Sequence, residues 1–167
     1  WVTDGLFGLF AILVSIAILV VLLGNMTING IGGFQRAELQ VSLDFPQSGI
    51  TADEATLSQQ NSAQLLELQG LPDIVRASAE QQFGEAGAAQ LGQDAWREVA
   101  AALRTDPSML YRQETFWLPA TGDLAMGLDR EGNAAMQALA TQLQANGYLE
   151  KRFDWGFLAR SDATDPQ

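Results

Sequence analysis

The chain has 167 residues, enough for about one domain and an appendage, with 20 acidic and 9 basic side chains and a net charge of −11. That balance provides no basic stripe to replace the counterions of a nucleic acid, and it opposes binding at an anionic lipid surface. Histidine and cysteine are absent, which removes disulfides, thiol nucleophiles, zinc sites of the usual kind and Ser-His-Asp catalysis, and leaves carboxylates as the only groups for acid–base or metal chemistry.

The first predicted element is apolar. No charged side chain occurs from Gly5 to Gln35, and Leu6–Leu23 (LFGLFAILVSIAILVVLL) is nearly all Leu, Ile, Val and Phe. At 1.5 Å per residue such a run covers about 27 Å, close to the hydrocarbon thickness of a bilayer. Each of these side chains favours the membrane centre by about 0.3–0.6 kcal/mol, which outweighs Gly8 and the hydroxyl of Ser15. Ser15 can satisfy itself on the carbonyl four residues earlier. A cleaved signal peptide would have a shorter apolar run behind a basic segment, whereas Asp4 stands here. Residues 1–27 therefore read as a transmembrane anchor, with Trp1 at an interfacial position. The first base after the run is Arg36, and beyond the anchor nineteen acids stand against nine bases. Few flanking bases are compatible with a translocated domain.

Residues 28–167 read as one soluble domain. Asn29–Gly33 (NGIGG) is expected to be a flexible exit from the membrane. Its Gly-x-Gly lacks the strand-then-helix setting of a dinucleotide site. Ala37, Leu39, Val41, Leu43 and Phe45 alternate with Glu38, Gln40, Ser42 and Asp44, the pattern of a half-buried strand that Pro46–Gly49 ends. Thr51-Ala-Asp-Glu54 has capping-box spacing, and a helix is expected from there to Gly70. Leu71-Pro72 restarts a helix, and the glycines and alanines of Phe83–Leu91 predict a break. Gln93–Leu103 is predicted helical with Trp96, Val99 and Leu103 on one stripe. Asp106-Pro107 caps a further turn through Tyr111. Thr115–Pro119 predicts a short strand whose proline marks an end or an edge. Asp129–Asn146 predicts an amphipathic helix carrying Met136, Leu139 and Leu143, closed by Asn146-Gly147. Tyr148–Leu158 predicts the last strand.

The fold class expected is α+β: one N-terminal transmembrane helix, then a domain with a small sheet of about three strands covered by helices. The Trp96 stripe and the Met136/Leu139/Leu143 stripe could cover the same face of that sheet.

Candidate chemistry is sparse. The carboxylate pairs Asp53/Glu54 and Asp129/Glu131 suit helix N-termini, and Asp162/Asp165 suit an exposed tail. Asp123, Asp129 and Asn133 lack the spacing of a calcium loop. Lys151, Arg152 and Arg160 are expected to neutralise Glu150, Asp154 and Asp162, and Phe153, Trp155 and Phe157 to fill core. No catalytic residue, cofactor or metal site is expected.

Two stretches carry a resemblance. In Thr115–Met126 (TFWLPATGDLAM), Trp117, Leu118, Pro119, Ala120, Asp123 and Met126 fit a WLPA-x-x-D-x-x-M pattern. In Arg152–Gln167 (RFDWGFLARSDATDPQ), Arg152, Phe153, Trp155, Phe157, Arg160, Asp162 and Pro166 fit an RFNW-x-FF-x-RGDS-x-x-PE pattern. The chain thereby resembles the N-terminal helix and extracytoplasmic domain of long-form PstA-like permease subunits of bacterial phosphate import ABC transporters. Asp154 for Asn, Leu158 for Phe and Ser161 for Gly are mild departures. The resemblance implies a fragment of a non-enzymatic permease in the bacterial inner membrane, its soluble domain periplasmic and its remaining transmembrane helices beyond Gln167. It implies a second permease subunit PstC, an ATPase PstB that hydrolyses ATP, and a phosphate-binding protein PstS as partners. The acidity of the domain argues for subunit packing or binding-protein docking rather than direct capture of phosphate. The alternative is a single-pass membrane-anchored sensor or adaptor that binds a small ligand or a protein.

Overall fold

A computed structural model describes residues 2–32 and 35–154. The apolar N-terminal sequence, with Asp4 in its first turn, forms α1, Val2–Gly32, and an eighteen-residue window from Phe10 to Thr27 is long and apolar enough to cross a membrane. None of that window is buried by protein. Phe10, Leu13, Leu19 and Val21 are all more than half exposed, so the helix presents a continuous apolar surface along this window. Two of its hydroxyls are satisfied internally: Ser15 donates to the Ala11 carbonyl at 2.9 Å and Thr27 to that of Leu23 at 2.7 Å. The expected flexible exit at Asn29–Gly33 is instead helical as far as Gly32. Glycine costs a helix about 1 kcal/mol per residue but keeps its N–H, so the ladder continues where no proline intervenes.

The chain divides into two compact units, of which Arg36–Arg152 is the α+β domain and α1 belongs to the other. The domain is built on β1, Gln35–Asp44, the centre of a three-stranded antiparallel sheet. Its neighbours are β2, Gln113–Pro119, and β3, Leu149–Phe153, in the order β2-β1-β3. Leu39 faces Leu118, Val41 faces Phe116 and Gln40 faces Trp117 across the β1–β2 ladder. Pro119 thus lies on an edge strand, where its missing N–H costs no ladder bond.

Helices follow their caps. Asp44 accepts from the Gln47 N–H to start α2, Phe45–Ser48. Asp53, rather than Thr51, caps α3, Glu54–Leu57, by accepting from the Thr56 N–H at 2.8 Å. The single helix expected up to Gly70 is interrupted: the polar run Ser58–Asn61 buries nothing, and α4, Ser62–Leu68, begins after it. α5, Leu71–Ala88, kinks at Phe83 and Gly84, inside the predicted break, and Gly84 takes a positive φ of 82°. α6, Ala95–Thr105, is followed by a 3-10 turn, Pro107–Tyr111, on which Asp106 acts as cap.

The helix expected from Asp129 to Asn146 starts later, and an element precedes it. Thr121 caps α7, Gly122–Leu128, and the chain turns through Arg130, at φ 61°, before Asn133 caps α8, Ala134–Ala145. Asp129 and Glu131 therefore lie in the connection rather than at a helix N-terminus. Gly127 permits this tight pairing, since a Cβ there would stand 2.7 Å from the Met136 carbonyl oxygen.

One face of β1 holds the core. Val41, Leu43 and Phe45 pack with Leu118, Trp96, Val99 and Leu103, while Ala37 and Leu39 pack with Leu124, Ala140, Leu143 and Leu149. The two predicted stripes thus cover the two ends of one sheet face. β3 is half as long as β1, and beyond the bond from Gln40 N–H to the Tyr148 carbonyl the ladder is completed by a side chain. Gln82 of α5 accepts from the Ser42 N–H at 3.0 Å and donates to the Gln40 carbonyl at 3.1 Å, pairing β1 as a further strand would.

Candidate functional site

Alternation along β1 places Arg36, Glu38, Gln40 and Ser42 opposite the core. On an open sheet face such side chains are solvated, yet Glu38 is only 5% exposed. Burial raises its carboxyl above the usual glutamate range, and Arg36 and then Arg152 pull it back. Each oxygen has its own guanidinium: Arg36 Nε donates to Oε1 at 2.7 Å, and Arg152 Nε lies 3.2 Å from Oε2. Arg36 also grips Glu98 of α6 in a two-pronged pair at 2.8 and 2.9 Å. Burial would lower the Arg36 pKa, but the bonds to Glu98 and Glu38 outweigh it and hold the guanidinium firmly charged.

Arg152 makes the second connection. Its guanidinium lies 4.9 Å from the ring centroid of Trp117, within cation–π range, and 3.8 Å from Glu150. Trp117 and Arg152 come from the two sequence stretches singled out above, on the edge strands either side of β1. The fold thus brings the two stretches together over one buried carboxylate. A glutamate whose two oxygens are each taken by a guanidinium is suited to tying elements together; a general base needs a lone pair within reach of a substrate proton.

The other motif residues separate by role. Leu118 is buried core on β2, and Pro119 accepts the Gly92 N–H at 2.8 Å. Asp123 is exposed in the first turn of α7, and Met126 is 45% exposed on the same helix. Phe153 is half-buried at the end of β3. Trp155, Phe157, Arg160 and Asp162 lie outside the described residues, as does the Asp162/Asp165 pair. Lys151 pairs with Asp129, and Arg152 with Glu38 before Glu150, so the basic pair reaches partners distant in sequence. Among the described residues no group of three or more acidic side chains is placed to hold a metal ion.

Residues 5–138 match a family model described as a domain of unknown function, DUF3333. The chain belongs to the DUF3333 family. The DUF3333 match runs from α1 into α8, so it contains Arg36, Glu38, Glu98 and Trp117, and stops before Arg152. No curated protein and no solved structure matches the chain.

Glu38, Arg36 and Glu98 were not singled out by sequence reasoning. The available signal was the opposite charge of Arg36 and Glu38 two residues apart in a strand, which puts them on one face. Neither the burial nor the contact with Glu98, sixty-two residues away, has a local signature.

Proposed function

We propose that this DUF3333 chain is the membrane anchor and periplasmic domain of a PstA-like permease subunit of a phosphate import ABC transporter in a bacterial inner membrane. The domain packs against the second permease subunit, PstC, or guides docking of the binding protein, PstS, and takes no part in catalysis; ATP is hydrolysed by PstB. The observation that supports this reading is the meeting of Trp117 and Arg152, one from each PstA-like stretch, over Glu38. Residues shared with a family pattern yet remote in sequence are explained if the pattern preserves one structural unit. The apolar helix α1 supports the membrane location, and the excess of acids over bases favours contact with a protein over capture of a phosphate dianion.

The test is deletion of Arg36–Arg152, bridged by a flexible linker, in the full-length transporter. Loss of phosphate uptake, or weaker binding of PstS to transporter-containing vesicles, is expected. Uptake and binding both unchanged would overturn the docking and packing role. The gene downstream of Gln167 gives a second check: further apolar spans agree with a permease, and an immediate stop codon agrees with a single-pass sensor.

A further inference from the structure

Arg36 and Arg152 are the first and last residues of the compact α+β domain, and Glu38 holds both. The two attachments are unequal. Arg36 has a second, bidentate anchor on Glu98. Among the contacts described, Arg152 has Glu150 at 3.8 Å, more than half exposed, and the face of Trp117. An exposed pair at that separation contributes little, so Glu38 is the principal hold on Arg152.

We propose that Glu38 is a proton-sensitive clasp: protonation of its carboxylate releases Arg152 from Trp117 and loosens the last strand of the domain, while Arg36 stays tied to Glu98. The charged groups facing Glu38 are Arg36 on its own strand, Arg152 from β3 with Glu150 beside it, and Glu98 from α6. The sign follows from reciprocity. The charge of Arg152 lowers the proton affinity of Glu38, so a proton on Glu38 weakens the hold on Arg152 by the same factor. Burial acts in the other direction on the domain as a whole. Because it raises the carboxyl above its value in an unfolded chain, falling pH through that window favours the folded state at this site. Acid therefore opens the clasp without unfolding the domain through Glu38, and the opening occurs above the ordinary carboxylate range.

The experiment uses the full chain in detergent micelles, labelled with 5-fluorotryptophan and followed by fluorine NMR from pH 8 to pH 4. The Trp117 signal, assigned by Trp117→Phe, is expected to shift with a single midpoint above that of a solvated glutamate, while the core Trp96 signal stays fixed. In Glu38→Gln the Trp117 signal is expected at its acid position at every pH. Should Glu38→Gln fail to fold, seen as collapse of the Trp96 signal, Arg152→Gln keeps the Arg36–Glu38–Glu98 ties and is expected to abolish the titration. A Trp117 signal that is flat in the wild type, that moves together with Trp96, or that titrates unchanged in the variants would overturn the proposal.

Discussion

The two faces of β1 are made by alternate residues of one ten-residue strand, yet they are held by different physics. Ala37, Leu39, Val41 and Leu43 are buried among apolar side chains of the covering helices by area alone, and any apolar side chain of the right volume would serve nearly as well. Arg36 and Glu38, one residue out of phase, are held by directed charge-assisted bonds that only particular partners can make. The first face supplies most of the stability. The second decides where the start and the end of the domain are placed relative to β1.

That contrast can be broken from either side. Leu43→Ala, on the core face, is expected to cost about 2–5 kcal/mol in urea unfolding of the chain, because a fully buried side chain leaves a cavity. Gly127→Ala tests packing that has no room to adapt: its Cβ would meet the Met136 carbonyl oxygen at 2.7 Å and carbon at 2.8 Å, and a loss of about 1–3 kcal/mol is expected in the same measurement. On the polar face, Glu38→Gln is expected to cost far less, under about 1 kcal/mol, because a neutral amide avoids the burial penalty that raises the Glu38 carboxyl. A broken buried pair can cost more, but the side chains of Arg36 and Arg152 keep 27% and 45% exposure and can rehydrate. A loss as large as that of Leu43→Ala would show the polar face to be core in energetic terms. A double-mutant cycle between Arg152→Gln and Trp117→Leu should return about 0.5–1 kcal/mol of coupling, the value of a partly exposed cation–π contact.

The smallest effect expected is at the helix caps. The Thr56 hydroxyl and then its N–H hold Asp53 below the ordinary aspartate range, and Ser108 and then Arg112 do so for Asp106. A depressed carboxyl contributes stability above its unfolded-state value, and that stability is lost as pH falls through the folded one. The double variant Asp53→Asn, Asp106→Asn should therefore show a flatter decline of Tm below about pH 4 than the parent. Glu38 acts with the opposite sign, so Glu38→Gln should not flatten that decline.

Much of the fold was legible because it rests on local signals. The alternation of β1, the helix of Gln93–Leu103, the break near Gly84 and the Asn146-Gly147 stop follow from side-chain period and backbone freedom, and the structure agrees within a few residues. α7 was missed because Gly122–Leu128 is short and glycine-rich, and its existence depends on packing against α8. The helix start assigned to Thr51 moved to Asp53 because both residues have capping side chains, and local geometry selects between them. The candidate site was legible in part. Trp117 and Arg152 stood in motifs, but Glu38, which joins them, looked like any polar residue of a half-exposed strand.

The apolar helix at the N-terminus, the α+β class and the core face of the central strand can be read from the residues alone, since these depend on periodicity and on the free energy of transferring side chains from water. That the polar face of that strand holds a buried glutamate between Arg36 and Arg152 emerges from the folded arrangement and not from local pattern. Burial and ion pairing are properties of neighbours, and here those neighbours lie as far as 114 residues from Glu38 along the chain.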